Sequence, residues 1–286
     1  MTAVVAAALP ARAQLDDSDL ETGLLPTGDV FGPLWGSPVW PQFSASYNRY
    51  ADDDYLENVA AFGIGATIPI YRWHRPAGSF LDWTEVGAQT AIFADFDQDR
   101  FSRDQFSADF VAGLYVAGRQ DRLSGMIRAF HRSSHVGDEY LTNDSGVERE
   151  DFAFERLDLF LSYALLGDPY RNDSGLARVY GGIGRTPKRP TPKEWGYLML
   201  NYGLELRSPH LIGDAFRPVA AADVTHQEGN DFKPDITLRA GVQAEHPSIN
   251  GRTIRFLVEY YNGKEPNGQF FEDDATIIGF GVFFTL

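Results

Sequence analysis

Apolar and polar residues alternate one by one in strand-length stretches that recur about twelve times after residue 40. In the last stretch, Asp274 to Leu286, alternate positions fall into two sets. One set contains Thr276, Ile278, Phe280, Val282, Phe284 and Leu286, and the other contains Ile277, Gly279, Gly281, Phe283 and Thr285. A period of two places successive side chains on opposite faces of an extended chain. The pattern is typical of a membrane-spanning β-strand.

The alternation predicts strands near residues 42–50, 58–71, 80–94, 105–118, 121–134, 151–165, 175–184, 195–207, 215–227, 233–245, 251–262 and 274–286. An even number of strands is what single-chain barrels of bacterial outer membranes require. Lipid tolerates no unpaired strand edge, so we expect the last strand to pair with the first. The predicted fold is an all-β, closed antiparallel transmembrane β-barrel of about 12 strands.

The two faces of each predicted strand differ in polarity. In the tenth strand, Ile236, Leu238, Ala240, Val242 and Ala244 share one face, opposite Asp235, Thr237, Arg239, Gly241, Gln243 and Glu245. In the fourth strand, the same parity assigns Phe106 and Ala108 to the apolar face. The apolar face of a membrane barrel contacts lipid, so the polar faces should line the lumen. A soluble sandwich would instead turn its apolar faces inward.

Charges of both signs fall on the predicted lumen side in comparable numbers. They are Glu85, Asp109, Arg128, Arg132, Arg156, Asp158, Glu205, Arg207, Arg217, Asp223, Arg239, Arg255 and Glu259. In a narrow barrel such charges should pair across the interior, whereas an ion-selective channel would carry an excess of one sign. The sequence therefore favours a plugged, salt-bridged lumen over a wide pore.

Two segments precede the first predicted strand. Residues 1–13 contain the apolar run Ala3 to Leu9, and Ala11-Arg12-Ala13 has the small-x-small form of a secretory cleavage site. We interpret residues 1–13 as a signal peptide without its positive amino-terminal part; an ordinary helical N-terminus is the alternative. Residues 14–40, rich in Asp, Gly, Pro and Leu, favour a periplasmic lead-in or a small lumen plug. The barrel is predicted over residues 41–286.

The net negative charge of the chain would lie mostly in the loops at the outer end of the barrel. The 286 residues have a net charge of −15, contain no Cys, and include no run near the roughly 20 apolar residues of a membrane helix. With the N-terminus in the periplasm, most outer loops would be acidic, such as Asp52 to Asp54 and Asp138 to Glu150. These loops could share divalent cations with lipopolysaccharide phosphates, or simply form a solvated rim. An acidic chain argues against nucleic-acid binding.

The sharpest candidate for chemistry lies at the end of the fifth predicted strand. His131 and Ser133 share the lipid face there, side by side. A Ser hydroxyl becomes a nucleophile when a neighbouring base takes its proton, and the base needs an acceptor that orients it. If Ala129 lies opposite Leu157 on the sixth strand, Glu155 lies opposite His131, with Cβ atoms about 5 Å apart. A hydrogen-bonded cluster that merely closes the strand end is the alternative.

This arrangement resembles outer-membrane phospholipase A, itself a twelve-stranded barrel, and lipid A 3-O-deacylase. The resemblance covers about 25 residues around His131-Arg-Ser133. It implies Ser133 as nucleophile, His131 as base and Glu155 as orienting residue. Those enzymes follow the Ser with Asn and a small residue that helps to build the oxyanion hole, whereas this chain has Ser134-His135. The oxyanion hole is therefore unassigned.

Over nearly the whole barrel the chain also resembles an uncharacterised bacterial outer-membrane family, catalogued as a domain of unknown function. The matching segments are residues 40–47, His131 to Glu139, Leu204 to Pro209 with Arg217 to Ala220, and Glu259 to Gly263 with Pro266 to Phe270. This resemblance implies an outer-membrane location and no particular activity.

Several further assignments stay open. Asp138 and Glu139 are the candidate metal ligands, with Ca²⁺ as the candidate ion, because carboxylates suit that cation. Membrane lipids and lipopolysaccharide are the expected partners, and a homodimer is a further option. The best concrete function is a lipid-face serine acyl hydrolase acting on phospholipid or lipid A. The alternative is a non-enzymatic barrel that serves as a narrow channel, a receptor or an envelope-assembly element.

Overall fold

A computed structural model describes residues 20–51, 56–76, 78–142, 151–168, 174–188, 190–244 and 253–285. A two-residue strand, β1 (Gly23–Leu24), precedes twelve long ones. These are β2 (Phe43–Ala51), β3 (Asn58–His74), β4 (Trp83–Asp97), β5 (Gln105–Gln120), β6 (Leu123–His135), β7 (Phe152–Leu166), β8 (Leu176–Arg185), β9 (Leu198–Arg207), β10 (Phe216–Gln227), β11 (Pro234–Ala244), β12 (Thr253–Lys264) and β13 (Asp274–Thr285). The predicted signal peptide, residues 1–13, lies outside the described residues.

The long strands form one closed antiparallel barrel. Each pairs with its neighbours along the chain, and β13 returns to pair with β2, where Gly279 lies opposite Asn48. All twelve predicted strands are confirmed, with boundaries within three residues of those expected. The predicted closure of the last strand on the first is confirmed as well. Period-of-two patterns and the need to pair every edge were sufficient to predict this architecture.

Burial alternates along the strands as the faces predict. In β7, Leu157, Leu159 and Leu161 are about half exposed, whereas Arg156 and Asp158 between them are buried. The apolar residues point out of the barrel and the charged residues point into it. The outside is consequently an apolar band, and the interior is a polar core.

One facing assignment is wrong. Phe106 was expected on the outer face, but it is fully buried. The register between β4 and β5 shifts at this point, because Asp95 pairs with Ser107 while Phe96 pairs with Gln105. Phe106 is the extra residue of this β-bulge, and a bulge re-aims its side chain. Its ring packs against Phe270 at 5.6 Å between centroids.

Many of the interior charges form ion pairs, but these pairs join neighbouring strands or residues of one strand and do not cross the lumen as expected. The pairs are Arg72–Glu85, Arg128–Asp158, Arg156–Asp158, Arg132–Asp109, Arg178–Glu205 and Arg239–Glu259. Arg72 and Arg178 were not among the predicted lumen residues. Arg178 has the parity of a lumen residue, whereas Arg72 faces the lumen only because the register of β3 shifts between Pro69 and Tyr71. A buried charge without a partner is very costly, so the pairing lets the narrow interior hold charges of both signs.

The segment before β2 folds inside the barrel. Val30, Phe31, Leu34 and Trp40 are almost fully buried and pack with inward-facing residues such as Phe160 of β7. Charged side chains of the lumen form hydrogen bonds with the backbone of this segment. We call residues 20–42 the plug, and it fills the half of the barrel near the N-terminal ends of β2 and β4.

Two buried ion pairs hold the plug by its backbone. The Trp35 amide donates to Glu205 at 2.6 Å, and Arg178, which is paired with Glu205, donates to the Gly32 carbonyl at 3.1 Å. On the other side, Arg72 donates to the Thr27 carbonyl at 2.9 Å. These bonds satisfy the polar groups of an irregular backbone that would otherwise be buried without partners.

Short helices cluster at the opposite end of the barrel. In the described ranges they are α1 (Asp138–Thr142) and three single-turn 3-10 helices, Lys193–Trp195, Glu228–Asn230 and Gly268–Phe270. We call this end the α1 end. No helix in the described part of the chain is long and apolar enough to cross a bilayer.

Candidate functional site

The predicted register at the candidate site is confirmed. Ala129 lies opposite Leu157 and His131 lies opposite Glu155 across β6 and β7. The His131 Nδ1 and the nearest Glu155 carboxylate oxygen are 3.5 Å apart. Both side chains are about half exposed, on the outer face near the α1 end. This geometry allows Glu155 to orient the imidazole ring, because a carboxylate beside Nδ1 favours the tautomer that leaves Nε2 free as a base.

Ser133 lies on the same outer face, two residues beyond His131, and is half-buried. Its strand neighbours are Phe110 on β5 and Ala153 on β7. Within the described ranges, no hydrogen bond joins the Ser133 hydroxyl to the His131 ring. The structure therefore brings His131 and Glu155, the predicted base and orienting residue, together, and it places Ser133, the predicted nucleophile, on the same face. Catalytic hydrogen bonds are often long without substrate and tighten when it binds.

The surroundings of the site are apolar. Leu157 and Phe110 flank it on the neighbouring strands, and both are exposed on the outer face. The imidazole of His135 lies against the Phe110 ring, with centroids 5.7 Å apart. An acyl chain that lies along the outer face would thus pass beside His131 and Ser133. An oxyanion-hole donor is not assigned at this position.

The two candidate metal ligands stand apart from the His131–Glu155 pair. Asp138 and Glu139 form the exposed first turn of α1. Among the residues that the structure describes, no group of three or more His, Cys, Asp or Glu side chains has the arrangement of a metal site. Binding of Ca²⁺ by these two carboxylates stays a prediction.

Ser134, the neighbour of Ser133, faces the interior and has a structural role. Its hydroxyl accepts a hydrogen bond from the Gln269 amide at 3.1 Å, and its carbonyl accepts one from the Gln269 side chain at 2.8 Å. Gln269 belongs to the loop between β12 and β13, residues 265–273, which we call the mouth loop. The adjacent Gly268 fits only as glycine, since a Cβ would lie 2.4 Å from the Phe152 ring. Sequence reasoning did not anticipate that this loop crosses the barrel mouth.

The mouth loop contains a carboxylic acid with a perturbed pKa. Burial, followed by the negative charge of nearby Asp95, raises the pKa of Glu265 from 4.5 to about 8. Asn267 donates to Glu265 at 2.8 Å, which partly offsets this effect. Near neutral pH, Glu265 is therefore mostly protonated in the folded protein.

We expect the stability of the folded protein to fall as the pH rises through this range. Below about pH 4.5 both folded and unfolded states bind the Glu265 proton. Between about 4.5 and 8 only the folded state holds it, so each increase in pH favours unfolding, and the full loss is reached above the folded pKa of about 8. Thermal unfolding midpoints measured across this range should fall less steeply for Glu265→Gln than for the wild type. Equal slopes would show that Glu265 does not titrate in this way.

The chain matches one protein family, and its fold is similar to those of several solved structures. The profile of a family described as a protein of unknown function, DUF1207, matches residues 3–286. A search of curated proteins finds no match.

Solved structures with a similar fold include outer-membrane proteins. Outer membrane phospholipase A from Escherichia coli is 13% identical, with a TM-score of 0.52, covering 85% of this chain and 93% of that one. The Salmonella typhi outer membrane phospholipase dimer with bound calcium is 13% identical, with a TM-score of 0.52 and coverages of 86% and 93%. The beta domain of the Bordetella autotransporter BrkA is 14% identical, with a TM-score of 0.45 and coverages of 90% and 100%. At these identities the likeness to the two phospholipases shows the barrel fold alone.

Proposed function

The chain belongs to the DUF1207 family of unknown function, and from that premise we propose that it is an integral outer-membrane barrel and a lipid-face serine acyl hydrolase. The barrel resembles those of outer-membrane proteins. The outer-membrane location is supported by the apolar outer band, which includes Leu114, Ile127 and Val258, each more than half exposed. Such a band is stable when lipid covers it.

The location predicts a depth-dependent cost for charge on the outer face. Leu159→Arg, near the middle of β7, is expected to lower the free energy of unfolding in lipid by about 2–4 kcal/mol. Leu166→Arg, at the end of the same strand, should lower it by only about 0–1 kcal/mol, because its charge reaches the interface. Equilibrium urea unfolding of both variants in lipid vesicles measures the difference. Equal effects at the two positions would count against a spanning barrel.

The observation that carries the enzymatic proposal is the His131–Glu155 pair, 3.5 Å apart on the outer face beside Ser133. In the proposed reaction, the Ser133 oxygen attacks the carbonyl carbon of an acyl ester while His131 Nε2 takes its proton. The imidazolium then protonates the leaving alcohol, and an acyl-enzyme ester remains on Ser133. Water, activated by His131, hydrolyses that ester and releases a fatty acid. Glu155 stabilises the imidazolium throughout.

The substrate class follows from the position of the site. Residues on the outer face near the end of β6 and the start of β7 should meet the acyl-ester region of a surrounding leaflet, so phospholipid and lipid A are the proposed substrates. Further parts of the proposal are Ca²⁺ bound through Asp138 and Glu139, lipopolysaccharide as a partner, and a homodimer. The exposed position of both carboxylates supports access by the ion.

The direct test is acyl release by folded, detergent-solubilised wild-type protein from phospholipid and from lipopolysaccharide, with and without added Ca²⁺. A hexadecylsulfonyl fluoride should block the release and form a covalent adduct, which peptide mass spectrometry should locate on Ser133. Light scattering in the same samples gives the oligomeric state. If folded protein releases no fatty acid from either lipid and Ser133 is not labelled, the hydrolase proposal fails.

A second candidate function is a non-enzymatic barrel, and the plug favours it. With Val30, Phe31 and Leu34 packed in the lumen, a receptor or an assembly element fits better than an open channel. Single-channel recordings in planar bilayers test this point. Steady conductance by the wild type would contradict a lumen that the plug closes.

A further inference from the structure

One arginine on the apolar outer face of the barrel has no partner. Arg185 is the last residue of β8, and it is exposed on the outer face opposite Leu157 of β7. Leu157 and Ile183, its apolar neighbours on that face, are about half exposed. Within the described part of the chain, the Arg185 guanidinium forms no ion pair and no hydrogen bond. A charge in apolar surroundings is costly without a partner, so this position calls for an anion.

The remaining acidic and basic side chains on the outer face of the described strands are already paired. The nearest of them to Arg185 is Glu155, which lies diagonally across β7 and contacts His131 instead. The pairs are Arg49–Glu57 at 2.5 Å, Lys264–Asp274 at 2.9 Å and His131–Glu155 at 3.5 Å. Arg185 differs from all of these residues, and its partner has to come from the surroundings of the barrel.

The loop that follows β8 returns toward the candidate site. Its base is closed by the Thr186 amide, which donates to the Tyr197 carbonyl at 2.9 Å. Farther along, Thr191 and Ala153 of β7 exchange two backbone hydrogen bonds of 2.8 and 3.1 Å. Ala153 is the strand neighbour of Ser133. The loop therefore extends along β7 from the level of Arg185 to the level of Ser133.

This loop adds a second unpaired cation. Lys188, three residues after Arg185, is exposed and has no ion pair or hydrogen bond among the described residues. Lys193 differs, because its ammonium group lies 3.5 Å from the Glu194 carboxylate. Arg185 and Lys188 are thus two free positive charges at the upper end of β8, in a chain whose net charge is −15.

The two cations lie at the end of the barrel that faces the outside in the proposed location. The longest connections between strands, residues 136–151 and 186–197, are at the α1 end, whereas the shortest joins Gln120 to Leu123 at the opposite end. Outer-membrane barrels have short periplasmic turns and longer extracellular loops. Arg185 and Lys188 therefore meet the boundary of the outer leaflet, where lipopolysaccharide presents the phosphate groups of lipid A.

We infer that Arg185 and Lys188 bind a phosphate group of lipid A in the outer leaflet. The guanidinium offers the fork of N–H donors that matches phosphate oxygens, and the lysine adds a point charge. The long side chain of Arg185 lets its charge reach the interface while its stem stays on the apolar band. The inference rests on the proposed outer-membrane location and names the contact for lipopolysaccharide. It does not require activity at Ser133.

Native mass spectrometry of the folded protein, titrated with lipid A in detergent micelles, tests the inference. The Ser133→Ala protein serves as the parent, so that no lipid is lost to hydrolysis. It should bind lipid A saturably. Arg185→Gln should weaken this binding by about tenfold or more, the effect of losing charged hydrogen bonds. Lys188→Gln should weaken it by about fivefold, the effect of one basic residue near an anionic membrane surface.

A matched control is Arg49→Gln. Arg49 is also an exposed arginine on the outer face, but it already pairs with Glu57. This variant should bind lipid A within about twofold of the parent, as expected for a residue outside contact range. Equal binding of lipid A by the parent and by Arg185→Gln, or an equal loss in Arg49→Gln, would overturn the inference. The heat-resistant band of each variant shows that it is folded.

Two further lipids define what is recognised. Lipid A from which the phosphates have been removed keeps the acyl chains, and it should bind the parent and Arg185→Gln equally weakly. Phosphatidylglycerol supplies one phosphate on a smaller lipid and should bind several-fold more weakly than lipid A. If phosphatidylglycerol binds as tightly, with the same dependence on Arg185, the commitment to lipid A is wrong.

The outcome is separable from that of the hydrolase proposal. Binding that depends on Arg185, together with no acyl release by the wild type, would refute the hydrolase and leave the phosphate site standing. Acyl release by the wild type without any effect of Arg185→Gln on lipid A binding would refute the phosphate site alone.

Discussion

Replacing Ser133 with alanine is expected to abolish acyl release, with a fall of about 10³-fold or more, while the protein stays folded. The reason is that no other group at the His131–Glu155 pair can form the acyl-enzyme ester, and removal of a triad nucleophile leaves only residual catalysis. Ser133 is half-buried on the outer face and packs in no tight core. The stability of the barrel should change little. Fatty acid released from vesicles and the heat-resistant folded band on gels measure the two properties separately.

Ser134→Ala is the matched control for this prediction. It removes an identical hydroxyl one residue further along β6, but from the interior face, where it accepts from the Gln269 amide at 3.1 Å. This variant should keep its acyl hydrolase activity and lose about 0.5–1.5 kcal/mol of stability, the net contribution of one hydrogen bond. If both variants retain activity, Ser133 is not the nucleophile. If both lose it, the effect comes from the shape of the strand end.

The second large effect is expected at the anchor of the plug. Arg178→Met should lower the free energy of unfolding by about 3–5 kcal/mol, because it leaves the fully buried Glu205 carboxylate without its ion-pair partner. It also removes the guanidinium that donates to the Gly32 carbonyl at 3.1 Å. We expect the plug to detach from the barrel wall before the barrel unfolds. Guanidinium unfolding monitored by the folded band measures stability, and protease access to residues 20–42 measures release of the plug.

An exposed ion pair provides the control for Arg178. Arg49 and Glu57 also form a close pair, 2.5 Å apart, but their side chains are 66% and 55% exposed. Arg49→Met should therefore cost no more than about 1 kcal/mol, since solvent already screens both charges. A double variant, Arg178→Met with Glu205→Met, should recover part of the lost stability because no unpaired charge remains. Equal, small effects of Arg178→Met and Arg49→Met would mean that the interior pair does not hold the plug.

Much of the candidate site followed from two local rules. A period of two placed His131 and Ser133 on the same outer face. Antiparallel pairing, with Ala129 opposite Leu157, placed Glu155 opposite His131. Both rules act between neighbouring residues and neighbouring strands, so a sequence contains them in full. Whether Ser133 contacts His131 depends on the rotation of both side chains, which the alternation of residues along a strand does not specify.

The sequence by itself determined the number of strands, their faces, the closure of the sheet and the mixture of charges in the lumen, because each of these depends on local periodicity and on the need to pair every strand edge. Only the tertiary structure decided which charge meets which. Three kinds of contact join residues far apart in the chain: the packing of Phe106 on Phe270, the hydrogen bonds of Arg72 and Arg178 to the plug backbone, and the hydrogen bond of the mouth loop to Ser134. Such contacts depend on the space left inside the closed barrel, and that space exists only after all twelve strands have paired.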